Sequence, residues 1–269
     1  MKYIEFQSQN VHYTDNGDGP VLVLLHGFTE SLAIWNSFSD TLSESFRVIC
    51  IDLPGHGRTA NFGPVHSMEF MASVVHAVLV FCKVSKCVML GHSMGGYVLL
   101  AFANRNPEML KGLILLHSQA EPDDEATKHN RDRAIDLIKM NRHGFLSQFI
   151  PDLFAECNRE RLQQDIEVLK NQAGSISAKA LVAALEGMKS RQCQRELLSK
   201  LEFPIMFIAG KLDSRIPFFK VLEQLALPRH AEALLLDGVG HMGYLEAPKV
   251  TLDAIRCFAT RITKSGHNE

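Results

Sequence analysis

Along the chain, two alternating rhythms organise the apolar positions. Val21-Leu22-Val23-Leu24-Leu25 is an unbroken apolar run, the pattern of a strand buried on both faces. Arg47 to Ile51, Cys87 to Leu90, Gly112 to Leu116, Pro204 to Ala209 and Ala233 to Leu236 read as further strands. Between them the apolar spacing is helical. Leu32, Trp35, Phe38 and Leu42 predict a helix over 31–43 with Ser31 as its cap; Val74, Val75, Val78 and Leu79 share one face of a helix over 67–82, capped by Ser67. Further helices are expected after the Cys87 strand to about Asn104, near 217–226, and from about residue 248. Strands alternating with helices imply βαβ units and a mainly parallel sheet, whose ligands bind at the carboxyl ends of the strands.

The strand rhythm stops between Gln119 and Lys200. There Ile135 and Ile138, then Leu162, Ile166 and Leu169, then Leu181, Ala184, Leu185 and Met188 recur at helical spacing, which predicts an all-helical insertion. Its 13 acidic and 13 basic residues cancel, so formal charge gives no support for docking an acidic carrier protein there.

Bulk composition narrows the function classes. The 269 residues are enough to bury one sizeable α/β core plus an insertion. A net charge of -2 gives no electrostatic footprint for nucleic acid or an anionic membrane, and no apolar run approaches a membrane span. The first residues, Met1 to Phe6, lack the apolar stretch of a signal peptide, so a cytoplasmic protein is expected; its oligomeric state is left open. Cys50, Cys82, Cys87, Cys157, Cys193 and Cys257 are scattered without C-x-x-C spacing and are expected to be buried, reduced thiols.

Chemistry enters at Gly91-His92-Ser93-Met94-Gly95-Gly96. A serine between an apolar strand and a helix sits on a sharp turn that holds its hydroxyl above the sheet edge, and the flanking glycines keep that turn free of clashes. Such a hydroxyl needs a base, and the base needs a group to fix its tautomer. Two later strand ends supply candidates: Gly210-Lys211-Leu212-Asp213 carries a carboxylate and Asp237-Gly238-Val239-Gly240-His241 a histidine. Asp237 is the nearest substitute acid but lies too close to His241 in sequence. No histidine or cysteine pair has metal-ligand spacing, and no Gly-rich nucleotide motif follows a strand, so neither metal nor cofactor is expected.

Taken with His26-Gly27-Phe28, Asp52-Leu53-Pro54-Gly55-His56-Gly57-Arg58-Thr59, Gly210 to Pro217 and Gly240-His241-Met242, these motifs resemble the α/β-hydrolase family, in particular its small esterases and lactonases. The order Ser93, Asp213, His241 is the one such a fold uses. The resemblance implies a mainly parallel eight-stranded sheet flanked by helices, with residues 1–118 and 201–269 as the core and 119–200 as a helical cap. It also implies Ser93, Asp213 and His241 as catalytic residues, with the backbone N–H groups of Phe28 and Met94 as the oxyanion hole. His26, His56 and His92 are expected to hydrogen-bond loops, and His117 to line the pocket or support it from behind. The implied activity is hydrolysis of a small or medium carboxylic ester through an acyl-enzyme. A lactonase, C–C hydrolase or perhydrolase on the same residues, or a slow-turnover ligand-binding protein, are the alternatives. Dehalogenases and epoxide hydrolases of the fold carry aspartate where this chain has Ser93, which disfavours both.

Overall fold

The apolar runs pair side by side in a computed structural model that describes residues 1–264. The strands are β1 (Lys2–Phe6), β2 (Gln9–Asn16), β3 (Val21–Leu25), β4 (Arg47–Ile51), β5 (Cys87–His92), β6 (Leu110–Leu116), β7 (Ile205–Gly210) and β8 (Ala231–Leu236). They form one sheet in the order β1-β2-β4-β3-β5-β6-β7-β8. From β4 to β8 every neighbouring pair is parallel, whereas β1 and β2 run antiparallel at one edge. This is the mainly parallel, helix-flanked sheet that the sequence implies. β5 is buried along its whole length and β3 nearly so, as their unbroken apolar runs require.

The first pair of strands has no such signature. β1 buries only Ile4, and its hairpin turns at Gln7 and Ser8, both at positive φ, without the Asn-Gly or Asp-Gly pair that marks such a turn in sequence.

Flanking the sheet are α1 (Asn36–Leu42), α2 (Met68–Phe81) and α3 (Met94–Arg105), followed later in the chain by α4 to α10. The expected helix over 31–43 is two pieces. Ser31 caps a 3-10 turn over Leu32–Trp35, and α1 starts only at Asn36. The Asp52 carboxylate accepts the Leu32 N–H at 2.8 Å, which pins the entry and lets Leu32 and Trp35 point inward together at three-residue spacing. Ser67 caps α2 by accepting from the Phe70 N–H.

Between β6 and β7 the regular structure is helical throughout: α4 (Glu125–Phe149), α5 (Gln163–Gly174), α6 (Ala178–Lys189) and α7 (Arg195–Lys200). Asp124 caps α4, which bends at Asn141, where the backbone leaves helical geometry and the side chain accepts the Gly144 N–H. The stripe residues Ile138, Leu169, Leu181 and Leu185 are buried, and α4 packs on α5 and α6. The chain then closes with α8 (Phe218–Leu225), α9 (Gly243–Glu246) and α10 (Pro248–Lys264), the last opened by a proline that fits a first helical position.

Only part of the cysteine expectation holds. All six thiols are free, but Cys157, Cys193 and Cys257 are exposed, because each lies on a loop or on the outer face of a helix. Among the described residues no helix is long and apolar enough to cross a membrane.

Because β3, β5, β6, β7 and β8 run parallel, the loops that follow them emerge at one sheet edge. His26 to Glu30, Ser93, His117, Asp213 and His241 therefore converge there from five distant stretches of sequence.

Candidate active site

Ser93 has φ 49° and ψ -114°, a strained conformation for a non-glycine residue. The turn exists because its neighbours lack side chains. A Cβ on Gly91 would lie 2.4 Å from the Gly95 carbonyl, and one on Gly95 would lie 2.6 Å from the His26 carbonyl. The strain is held from both sides: the Ser93 N–H donates to the Leu116 carbonyl at 3.0 Å, and the Ser118 hydroxyl donates to the Ser93 carbonyl at 2.8 Å. The Ser93 hydroxyl bonds to no group among the described residues and opens, half-buried, onto a cavity.

His241 lines the same cavity. Its Nδ1 donates to Asp213 at 2.8 Å, leaving Nε2 as the proton-accepting nitrogen. Asp213 is thoroughly held. Oδ1 accepts the N–H groups of Arg215 and Ile216 at 2.8 and 2.9 Å, and Oδ2 receives a second histidine, His117 Nδ1, at 3.1 Å. Burial alone would raise the Asp213 carboxyl, but His241 and His117 beside it outweigh burial and hold it well below the usual carboxylate range. Asp237 is excluded as a substitute acid: it is exposed and faces Lys211 at 3.6 Å.

Of the two readings of His117, the pocket-lining one is not borne out and support from behind fits the structure. His117 is fully buried behind Asp213, is not among the residues lining the cavity of Ser93, and accepts the Gly243 N–H on Nε2 at 3.2 Å. That bond assigns the proton to Nδ1, facing the Asp213 carboxylate at 3.1 Å, a shorter contact than that of the Gly210 N–H, which approaches the same nitrogen at 3.4 Å. Burial lowers the pKa of His117 and keeps it neutral. The chain turns directly after β6, where His117 has a φ of 47°. His117, Asp213 and His241 bring three ligand-type atoms within 4.8 Å of one another. Those atoms are engaged with each other and with Gly243, a closed hydrogen-bond set rather than an open coordination shell.

Two buried glutamates that sequence reasoning missed tie the loops together. Glu30 accepts the Gly27 N–H at 2.6 Å, the Tyr244 hydroxyl at 3.0 Å and His92 Nδ1 at 2.9 Å. His92 also donates Nε2 to the His241 carbonyl at 3.0 Å, so both of its nitrogens are donors and the ring is an imidazolium. Burial opposes charge on each partner, yet their mutual attraction raises His92 and lowers Glu30. His92 thus joins loops, as expected. Glu246 holds the other side of the histidine loop by accepting the N–H groups of Gly240 and Met242, which bracket His241. Neither glutamate announces itself in sequence, where each reads as an ordinary polar letter in a loop or short helix. His26 and His56 also bond loops: His26 Nε2 accepts the Leu53 N–H and His56 Nδ1 donates to the Pro54 carbonyl.

The backbone N–H groups of Phe28 and Met94 have no acceptor among the described residues. Both sit beside Ser93, Phe28 on the cavity wall and Met94 at the first position of α3, where an unpaired N–H and the helix dipole favour negative charge. The cavity holds about 420 Å³. Its floor is Ser93, His241 and Phe28; its far walls come from α4, α6 and the loop after β7, with Phe149, Leu185 and Ile216 apolar and Arg131, Arg133 and Arg215 cationic.

The model of a family described as alpha/beta hydrolase fold matches residues 20–133. A pimeloyl-[acyl-carrier protein] methyl ester esterase of Aeromonas hydrophila is 30% identical over 257 residues, covering 90% of this chain and 96% of its own. Among solved structures, a thermophilic esterase from Thermogutta terrifontis, in a malate-bound form, superposes with a TM-score of 0.92 at 27% identity, covering 98% of this chain and all of the other. An enol-lactonase from Burkholderia xenovorans shares the fold, with a TM-score of 0.89 at 19% identity and coverage of 96% and 100%.

Proposed function

Starting from the premise that this chain belongs to the α/β-hydrolase family and is a carboxylic ester hydrolase, we propose that it works by acyl transfer through Ser93, His241 and Asp213. The observation that supports this reading is the setting of His241: Asp213 holds its Nδ1 and leaves Nε2 free, on a residue that lines the same cavity as Ser93.

In the proposed reaction His241 Nε2 takes the proton of Ser93 as Oγ attacks the ester carbonyl. The carbonyl oxygen becomes an oxyanion, received by the N–H groups of Phe28 and Met94, each contributing about 3 kcal/mol to transition-state binding. Asp213 remains ionised and stabilises the imidazolium. Collapse of the tetrahedral adduct expels the alcohol, which leaves with the proton from His241. Water, deprotonated by His241, then cleaves the acyl-enzyme and restores Ser93.

Residues 1–118 and 201–269 serve as the catalytic core in this reading, and 119–200 as a cap that bounds the acyl pocket and limits water access. A cavity of about 420 Å³ suits a small or medium ester rather than a long acyl chain. The decisive experiment is Ser93→Ala. Steady turnover of p-nitrophenyl butyrate by the wild-type chain should fall about 10⁴-fold or more in the variant, with thermal stability retained. Undiminished turnover would move the nucleophile elsewhere, and tight binding of esters with no turnover by the wild type would make the chain a binding protein.

A further inference from the structure

Three arginines line the cavity that Ser93 and His241 also line, and their charge is only partly paired. Near the floor, Glu30 is matched by His92, whereas Asp213 is hydrogen-bonded by two imidazoles and keeps its negative charge. Along the far wall the balance fails. Arg131 shares its one carboxylate, Asp123, with Arg191, so three charged groups leave a net positive charge. Arg133 and Arg215 have no carboxylate within ion-pair distance among the described residues, although both line the cavity.

Arg215 is the most telling of the three. Its guanidinium lies over the Phe149 ring, 4.6 Å from the centroid, and Phe149 in turn meets Phe28 edge-on at 5.8 Å. The side chain is thus seated by aromatic contact a short stack away from the proposed oxyanion site, with its guanidinium N–H groups unclaimed among the described residues. Burial lowers its pKa and Arg131 adds like charge in the same direction, against the opposing pull of Asp152 and Asp213, neither of which is within ion-pair distance. An unmatched cation kept beside another cation on an apolar ligand wall is unfavourable unless something anionic comes to it. A guanidinium pair is suited above all to a planar carboxylate, which it can grip through two parallel hydrogen bonds.

We propose that Arg215 and Arg131, with Arg133 at the rim, form a subsite for a carboxylate carried by the substrate, so that the preferred esters bear a carboxylate a short apolar spacer from the scissile carbonyl. The inference rests on the esterase reading above and names its substrate class. Ala134, Leu137 and Phe149 line the wall around the arginines and fit a spacer of methylene groups.

The test compares charged and neutral esters by titrating released acid. Monomethyl glutarate places the carboxylate on the acyl side and 4-acetoxybutanoate on the alcohol side; methyl butyrate and butyl acetate are their neutral counterparts. One charged ester should exceed its counterpart in kcat/KM by about tenfold or more, the scale of a charge-assisted hydrogen bond. In Arg215→Gln that ratio should collapse towards one, and Arg215→Lys should restore part of it. Added salt should lower the ratio. Calorimetric binding of both charged esters to Ser93→Ala, which needs no turnover, should show the same preference. Neutral esters turned over at ratios near one, or a ratio unmoved by Arg215→Gln, would overturn the carboxylate subsite while leaving the esterase reading intact. Absence of turnover for all four esters, with charge-selective binding retained, would instead overturn the esterase reading and leave the subsite standing.

Discussion

Asp213 shows how much one side chain does at the sheet edge. It accepts two backbone N–H groups and two imidazoles, and is the only group holding His241 in the tautomer that leaves Nε2 free among the described residues. Asp213→Asn would keep the shape but place an amide where two ring N–H groups need an acceptor. One imidazole must then turn away or change tautomer. We expect kcat to fall by about 10⁴-fold, as loss of the orienting carboxylate does in such triads, with KM little changed. Near-normal kcat in p-nitrophenyl ester assays would remove Asp213 from the mechanism. The residues of this edge were unequally legible. Ser93, Asp213 and His241 are readable because each sits in a short glycine-marked loop at the end of an apolar run. His117 is readable only as a pocket residue or a support from behind, because position at a strand end fixes location but not direction; in the structure, with positive φ, its ring lies behind Asp213. Glu30 and Glu246 are not legible, since whether a carboxylate meets water or buried donors depends on packing between distant segments, 214 residues apart for Glu30 and Tyr244 and 91 for Glu246 and Ala155.

At the scale of elements, the loop carrying His241 is supported from below by α9. Glu246 at the end of that helix collects the N–H groups of Gly240 and Met242, and its Oε2 also accepts from the Ala155 N–H and the Asn158 amide of the preceding helical segment. One carboxylate therefore joins the histidine loop to the region that forms the cavity wall. Glu246→Ala would orphan several buried donors at once. Losing hydrogen bonds to a charged group at about 1.5–3 kcal/mol each, partly offset by water entry, should destabilise the chain by roughly 3 kcal/mol. The same change should lower kcat, because His241 loses the frame that sets its position. Urea titration checks the first effect and ester turnover the second; a variant with wild-type stability would show that water replaces the carboxylate freely. Element boundaries follow the same division between local and distant causes. Caps at Ser31 and Ser67 are local and were readable, whereas the break between Trp35 and Asn36 depends on Asp52, and β1 depends on pairing with β2.

For the whole molecule, the unusual feature is the number of histidines folded into the interior. Burial pushes His56 down to about 3 and His66 down to about 4, and lowers His26 and His117 as well. The unfolded chain titrates these groups near 6.5. Between pH 6.5 and about 4 the unfolded state therefore binds protons that the native state refuses, so stability falls as pH falls. His56 and His66 together account for about 2.7 kcal/mol per pH unit across that window. Glu30 and Asp213 act in the same direction at lower pH: their depressed values give stability present above the ordinary carboxylate range and lost as pH drops through the folded values. His92 has the opposite sign. Its raised value gives stability that is full below 6.5 and is lost as pH rises through the folded value. Stability should then peak near neutrality and fall steeply on the acid side, against a total of about 5–15 kcal/mol for a typical domain. Calorimetric scans should show Tm dropping continuously from pH 6.5 to 4.5, with two or more protons taken up on unfolding near pH 5. A flat Tm over that range would mean that the buried imidazoles already carry protons in the folded state, and that the neutral interior inferred for them is wrong.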